Sequence, residues 1–273
     1  MKISLSMAAC LALVLAAVPA GAQGPDGEFV EAIGNVVPVP LPPGGPAPRM
    51  ADGHVDLSGA WFPGPTGKAN AWSVVPNERV VEDPIPFQPW AQERRDSMSR
   101  VEIELNGNAN VRCLPPGTPG MFTENPYLPM IVMKPDLFVH LIENNNRWRL
   151  VRIGGSHKVA EELEPLYNGD EIGSWEGDTF IIDSISIKES TWIRDGWFHS
   201  DALHVIERLR RPSYNYLEYQ FTIEDPKVLT EPWTSAWRTY SLATEDPTEN
   251  FCERNENVEQ FRRLLEIQES QTQ

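Results

Sequence analysis

The sequence predicts an all-β fold: about eight antiparallel strands in meander order, closed into a barrel, with one early helix and a C-terminal amphipathic helix. Three observations predict it. From Pro129 onward the chain is a series of short apolar or alternating runs of strand length. The junctions Asn144-Asn145-Asn146, Glu176-Gly177-Asp178, Pro212-Ser213-Tyr214-Asn215 and Asp225-Pro226 are turn chemistry. A meander of this length carries two exposed edges unless it closes on itself.

The elements follow in order. Residues 1–22 have the form of a secretory signal, with Lys2 ahead of the apolar run Met7–Pro19 and small residues Ala20-Gly21-Ala22 at the cleavage site. Cys10 sits inside that run as an ordinary signal residue. The run is too short to span a membrane, and no later stretch is long enough. The expected product is periplasmic or secreted, without membrane insertion. Residues 23–55, rich in Pro, Gly and Val, read as an extended, poorly ordered arm. Residues 56–273 form the single folded domain, opened by the strand "DLSGAW". "PFQPWAQERRDSMSRVEIE" predicts the early helix, with Trp90, Ala91, Arg94 and Met98 on one side and Pro89 near its start. "CLPPGTPG" reads as a loop.

The strand runs are "MIVMK", "LFVHLIE", "RWRLVRIGG", "GSW", "TFIIDSISI", "ALHVIERLRR", "YLEYQFTIE" and "SAWRTYSLA". Glu176-Gly177-Asp178 is a hairpin turn between "GSW" and "TFIID". In "NENVEQFRRLLEIQE", Val258, Phe261, Leu264 and Leu265 make the stripe of a helix expected to lie outside the barrel.

Composition removes several functions. The net charge of −16 repels nucleic acid and anionic lipid surfaces. No G-x-G-x-x-G or Walker loop is present, so no nucleotide cofactor is expected, and no G-x-S-x-G nucleophile elbow occurs. Cys113 and Cys252 remain after export and predict one disulfide across a long loop.

Strand alternation then singles out side chains. In "ALHVIERLR", Glu207 shares the apolar face of Leu203, Val205 and Leu209, so it must be paired, hydrogen-bonded or protonated. It is either a salt-bridge partner of a barrel arginine such as Arg149 or Arg152, or an acid/base group. Asp183, on the face of Thr179, Ile181 and Ile185, either caps a hydrogen-bond network or lines the lumen with Glu207. "HSDALH" brings His199, Asp201 and His204 close in sequence. They suit proton transfer or the shaping of a barrel mouth, and the histidines (His54, His140, His157, His199 and His204) are too scattered to predict a metal. "STWIRDGWFHSD" is the expected mouth. Trp192, Trp197 and Phe198 there, with Trp175 and Arg149, are the expected ligand contacts. The resulting expectation is a binder of a small apolar or aromatic molecule. The alternatives are a cofactor-free lyase or isomerase on the same scaffold and a structural envelope protein.

Two resemblances add to this. "DLSGAW" ahead of a meander, with Arg238 on a late strand, resembles lipocalin-type barrels, in which a Gly-x-Trp opens the first strand and a late Arg packs across the Trp. That likeness implies that Arg238 covers Trp61. "PFQPWA", "CLPPGTPG", "GSWEGDTFIID", "HSDALHVIERLRR", "TIEDPKVLTEPW" and "NFCERNEN" resemble phrases of a widespread family of exported bacterial proteins of unassigned function. Its members often carry Cys-His-Glu-Gly-Asn near the end. Here Glu253, Arg254 and Asn255 follow Cys252, and the missing His argues against metal or acid–base chemistry at that spot.

Overall fold

The computed structural model describes residues 42–62, 83–123, 128–193, 196–252 and 257–272. All of these belong to one unit, Val37–Gln273. The expected signal, 1–22, and most of the arm lie outside the described residues.

The strands are β1 (Gly59–Phe62), β2 (Pro129–Lys134), β3 (Leu137–Ile142), β4 (Arg147–Ile153), β5 (Asp170–Glu176), β6 (Thr179–Ile185), β7 (His204–Ser213), β8 (Tyr216–Glu224), β9 (Trp233–Thr234) and β10 (Arg238–Leu242). β1 to β8 pair in sequence order, and β10 closes the ring by pairing with both β8 and β1. The two-residue β9 and β10 lie end to end along one edge of β8. Between them Ser235 stands in for a ladder residue: its N–H donates to Phe221 O at 2.8 Å and its Oγ accepts from Phe221 N at 3.0 Å. The barrel therefore has nine wall strands, among the described residues, where the sequence reading counted about eight.

One pairing departs from the antiparallel meander. β4 and β5 run parallel and share only the pairs Arg152↔Ile172 and Ile153↔Gly173. A parallel neighbour needs a long return connection, and Gly154–Gly169 supplies it. The hairpin turn is as expected: Glu176 pairs with Thr179, and Gly177 takes the first turn position with φ +60°, which a II′ turn requires.

The predicted single early helix is two, α1 (Pro89–Asp96) and α2 (Arg100–Gly107). Ser99 breaks the run because its side chain accepts the amide of Glu102, capping a new N-terminus. Ala91 faces the core as expected, whereas Trp90 is 53% exposed. The C-terminal helix, α4 (Asn257–Thr272), packs on α2 and on the turn Ala109–Arg112 rather than on a wall strand. Phe261 and Leu264 are half-buried there and Leu265 is exposed; the side chain of Val258 is outside the described set. Cys113 and Cys252 are joined, with Cα atoms 5.7 Å apart across a separation of 139 residues. No helix among the described residues is long and apolar enough to cross a membrane.

The loop "CLPPGTPG" behaves differently from a surface connection. Residues 116–123, including the short α3 (Gly120–Thr123), are buried throughout. Phe122 stacks on Tyr219 of β8 at 4.5 Å and on His140 of β3 at 4.2 Å. Its carbonyl accepts the hydroxyl of Tyr240 of β10 at 2.8 Å. Contact with inward residues of three wall strands places this segment inside the barrel as a plug. The first strand is held as a lipocalin-type likeness implies, but by another arginine. Arg211 lies over the Trp61 ring at 4.8 Å and donates to the carbonyls of Asp56 and Ser58, whereas Arg238 lies over Phe221. Arg211 sits at the end of β7, next to the start of β1, and so reaches Trp61 first.

Candidate functional site

The splayed β4–β5 pair opens the wall. Above Arg152 the two strands diverge, and a cleft of about 490 Å³ enters between them. One bank is β4 from Arg147 to Leu150. The other is the end of the return connection, Leu166–Gly169, with Glu171. Met121 and Pro115 from the plug region complete the lining. Gly169 is needed at that bank: its φ is +81°, and a Cβ would come within 2.3 Å of Ile185 O.

The inner end of the cleft is an ion cluster. Arg149 is fully buried, and its two terminal nitrogens fork onto Glu207 at 3.1 and 2.6 Å. One of them also bonds Glu171 Oε1. Tyr219 donates its hydroxyl to Glu207 Oε1 at 2.7 Å, and Thr118 of the plug donates to Glu171 Oε1 at 3.2 Å. Burial pushes the Glu171 carboxyl up to about 7, with the Glu207 charge adding to the rise and Arg149 opposing it. Burial also drives His140 well below the usual imidazole range, with Arg149 alongside, so it is a neutral core side chain. Of the two readings of Glu207, the salt bridge to Arg149 is the one formed.

Asp183 does not join Glu207. Its register partner is Ile206 and that of Glu207 is Ile182, so the two carboxylates point to opposite sides of the wall. Asp183 instead caps a chain on the outer face. Its Oδ1 lies 2.8 Å from His204 Nε2 and 3.0 Å from His157 Nε2. The other nitrogens of these rings lie 3.0 Å from Glu224 and 2.8 Å from Asp170. The hydrogen bond from His204, more than burial opposes it, holds Asp183 below the carboxylate range. The same bond raises His204 above the imidazole range. His157 belongs to the return connection, so this chain ties the outer cleft bank to the barrel.

His199 and Asp201 do not pair. His199 is buried, with Nε2 3.1 Å from Thr191 Oγ1 and Nδ1 2.9 Å from Ser200 O. Burial lowers it from the imidazole range. Asp201 is exposed and bonds Lys227. The expected ligand contacts also separate. Trp197 is in the core against Trp233, and Phe198 is grouped with Phe87, Trp90 and Trp192. Trp175 stacks on His54 at 4.7 Å. Arg149 alone of that set lines the cleft. Among the described residues no group of three or more His, Cys, Asp or Glu is arranged to hold a metal ion.

Sequence reasoning missed Glu171 and the lining residues Met121, Leu166 and Tyr167. The signal available for Glu171 was its place two residues before Gly173 on the short "GSW" strand, which extends further than its apolar residues suggest. No protein-family model, curated protein or solved structure matches this chain.

Proposed function

We propose that this protein is an exported, lipocalin-like barrel that binds a small apolar or aromatic molecule, and that the molecule enters through the side of the barrel. The plug occupies the space a central ligand would take, so the binding position is the β4–β5 cleft. One observation carries the reading: a gap in the wall, rimmed by exposed apolar side chains, leads to a buried polar cluster. Trp148, Leu150 and Leu166 at that rim are 62%, 50% and 51% exposed. Apolar side chains around a concavity with a few convergent polar groups are the usual make-up of a ligand site. The test is titration with the neutral probe N-phenyl-1-naphthylamine. Saturable fluorescence enhancement at one site, abolished by Leu166→Glu, is expected. Enhancement that survives Leu166→Glu and Leu150→Glu places the ligand elsewhere.

A second reading, cofactor-free acid–base catalysis, is favoured by Glu171, whose carboxyl is poised near neutrality at the cleft. It predicts turnover of a bound ligand that Glu171→Gln removes while binding persists.

A further inference from the structure

The polar end of the cleft sets two carboxylates against one fully buried guanidinium, with Arg147 further along the lining. That guanidinium is Arg149, and its terminal nitrogens are taken up by Glu207 and Glu171. Glu207 is closed off, receiving Arg149 and Tyr219 at full burial. Glu171 is not. Its bonds from Arg149, Thr118 and Ser184 all fall on Oε1, and Oε2 has no protein partner among the described residues. A second acceptor lies on the same wall: the buried Oδ1 of Asn168 has no hydrogen-bond partner among the described residues. Arg147, the other cation in the lining, has a partner of its own. The lining also includes Trp148, whose ring attracts cations at its face, and Tyr167, whose ring already carries the Lys188 ammonium 5.2 Å from its centroid. The net charge of −16 raises the local concentration of cations and depletes anions.

Resting on the cleft as the ligand site, we infer that the ligand is an amine: an apolar or aromatic body carrying a protonated nitrogen, whose N–H groups bond Glu171 Oε2 and Asn168 Oδ1. Such a cation balances the second carboxylate of the cluster. A carboxylate ligand adds a third negative group beside two that share one arginine. Binding also draws the Glu171 proton off, because the ammonium favours the ionised carboxyl.

The test compares 2-phenylethylamine, 2-phenylethanol and phenylacetate on the full chain by calorimetry at low salt and pH 8. The amine is expected to bind at least tenfold more tightly than the alcohol, and phenylacetate most weakly. Glu171→Gln should erase the advantage of the amine over the alcohol. Asn168→Leu, which leaves the ion cluster intact, should reduce that advantage severalfold. At pH 7, titration in two buffers of different ionisation enthalpy should record proton release with the amine and none with the alcohol. If the alcohol binds and the amine binds no better, the amine inference is overturned while the cleft stands. If none of the three binds at millimolar concentration, both fall.

Discussion

Arg149 and Glu171 carry opposite consequences for stability. Arg149→Met leaves two buried carboxylates without their cation, the kind of change that costs about 3–5 kcal/mol. Urea unfolding at pH 7 should therefore place this variant several kcal/mol below the parent. A loss under about 1 kcal/mol would mean that the carboxylates take protons or water at little cost. Glu171 works the other way. Its folded value, about 7, is above the ordinary 4.5, so between those values the folded state holds a proton the unfolded state has lost. Stability then falls as pH rises from 4.5 toward 7 and levels off above, by roughly 3 kcal/mol in all. Glu171→Gln should flatten that decline in a pH series of unfolding curves. An unchanged slope would assign the effect to another group.

The return connection Gly154–Gly169 is held near its start by the outer chain of Asp170, His157, Asp183, His204 and Glu224, and near its end by the backbone bonds of Leu166 with Ser186 and Lys188. Lys158 adds a backbone N–H to Asp170 at 3.0 Å. Asp183 is held below its ordinary value, so its contribution is present above about pH 4 and lost as pH falls through its folded value. His204 is held above its ordinary value, so its contribution is full below about pH 6.5 and lost as pH rises through its folded value. The clasp is strongest between these limits. At pH 6, Asp183→Asn is expected to speed amide exchange in 155–163 at least tenfold while leaving Leu166, β7 and β8 protected. Uniform acceleration would show global destabilisation instead of a released segment. The disulfide acts on a larger element. Closing a loop of 139 residues restrains the unfolded chain by about 5 kcal/mol in the entropy model. Reduction should therefore lower the melting temperature, and Cys113→Ser should remove that sensitivity.

Across the whole molecule, the plug decides what kind of barrel this is. Phe122 fills the lumen between Tyr219, His140 and Tyr240, and the wall is breached where the parallel pair splays. Phe122→Ala should cost about 3–5 kcal/mol in thermal or urea unfolding, because the aromatic rings around it cannot all close on the space. A cost near zero would mean that the lumen collapses freely and the plug is dispensable.

The strands were legible because each side chain reports its own exposure. "LFVHLI" is an apolar run of strand length, "HVIERLR" sets Val205, Glu207 and Leu209 on one face, and Gly177 marks its hairpin by the positive φ it adopts. Pairing Glu207 with an arginine was legible for the same reason: a charge on an apolar face requires a partner. For Asp183 the sequence left a hydrogen-bond cap and a place beside Glu207 both open, because "TFIID" is apolar on both faces, as buried strands often are, and alternation then gives no sign of which side is inner; the cap is the one formed. The exchange of Arg238 for Arg211 over Trp61, the convergence of His157 and His204 on Asp183, and the entry of "LPPGTPG" into the lumen all join residues far apart in the chain. Local pattern determined the strand runs, the turn and the disulfide partners. The parallel register of β4 and β5, the plug, and therefore the cleft with Glu171 were decided only when the barrel closed, because each depends on which distant segments fill the same volume.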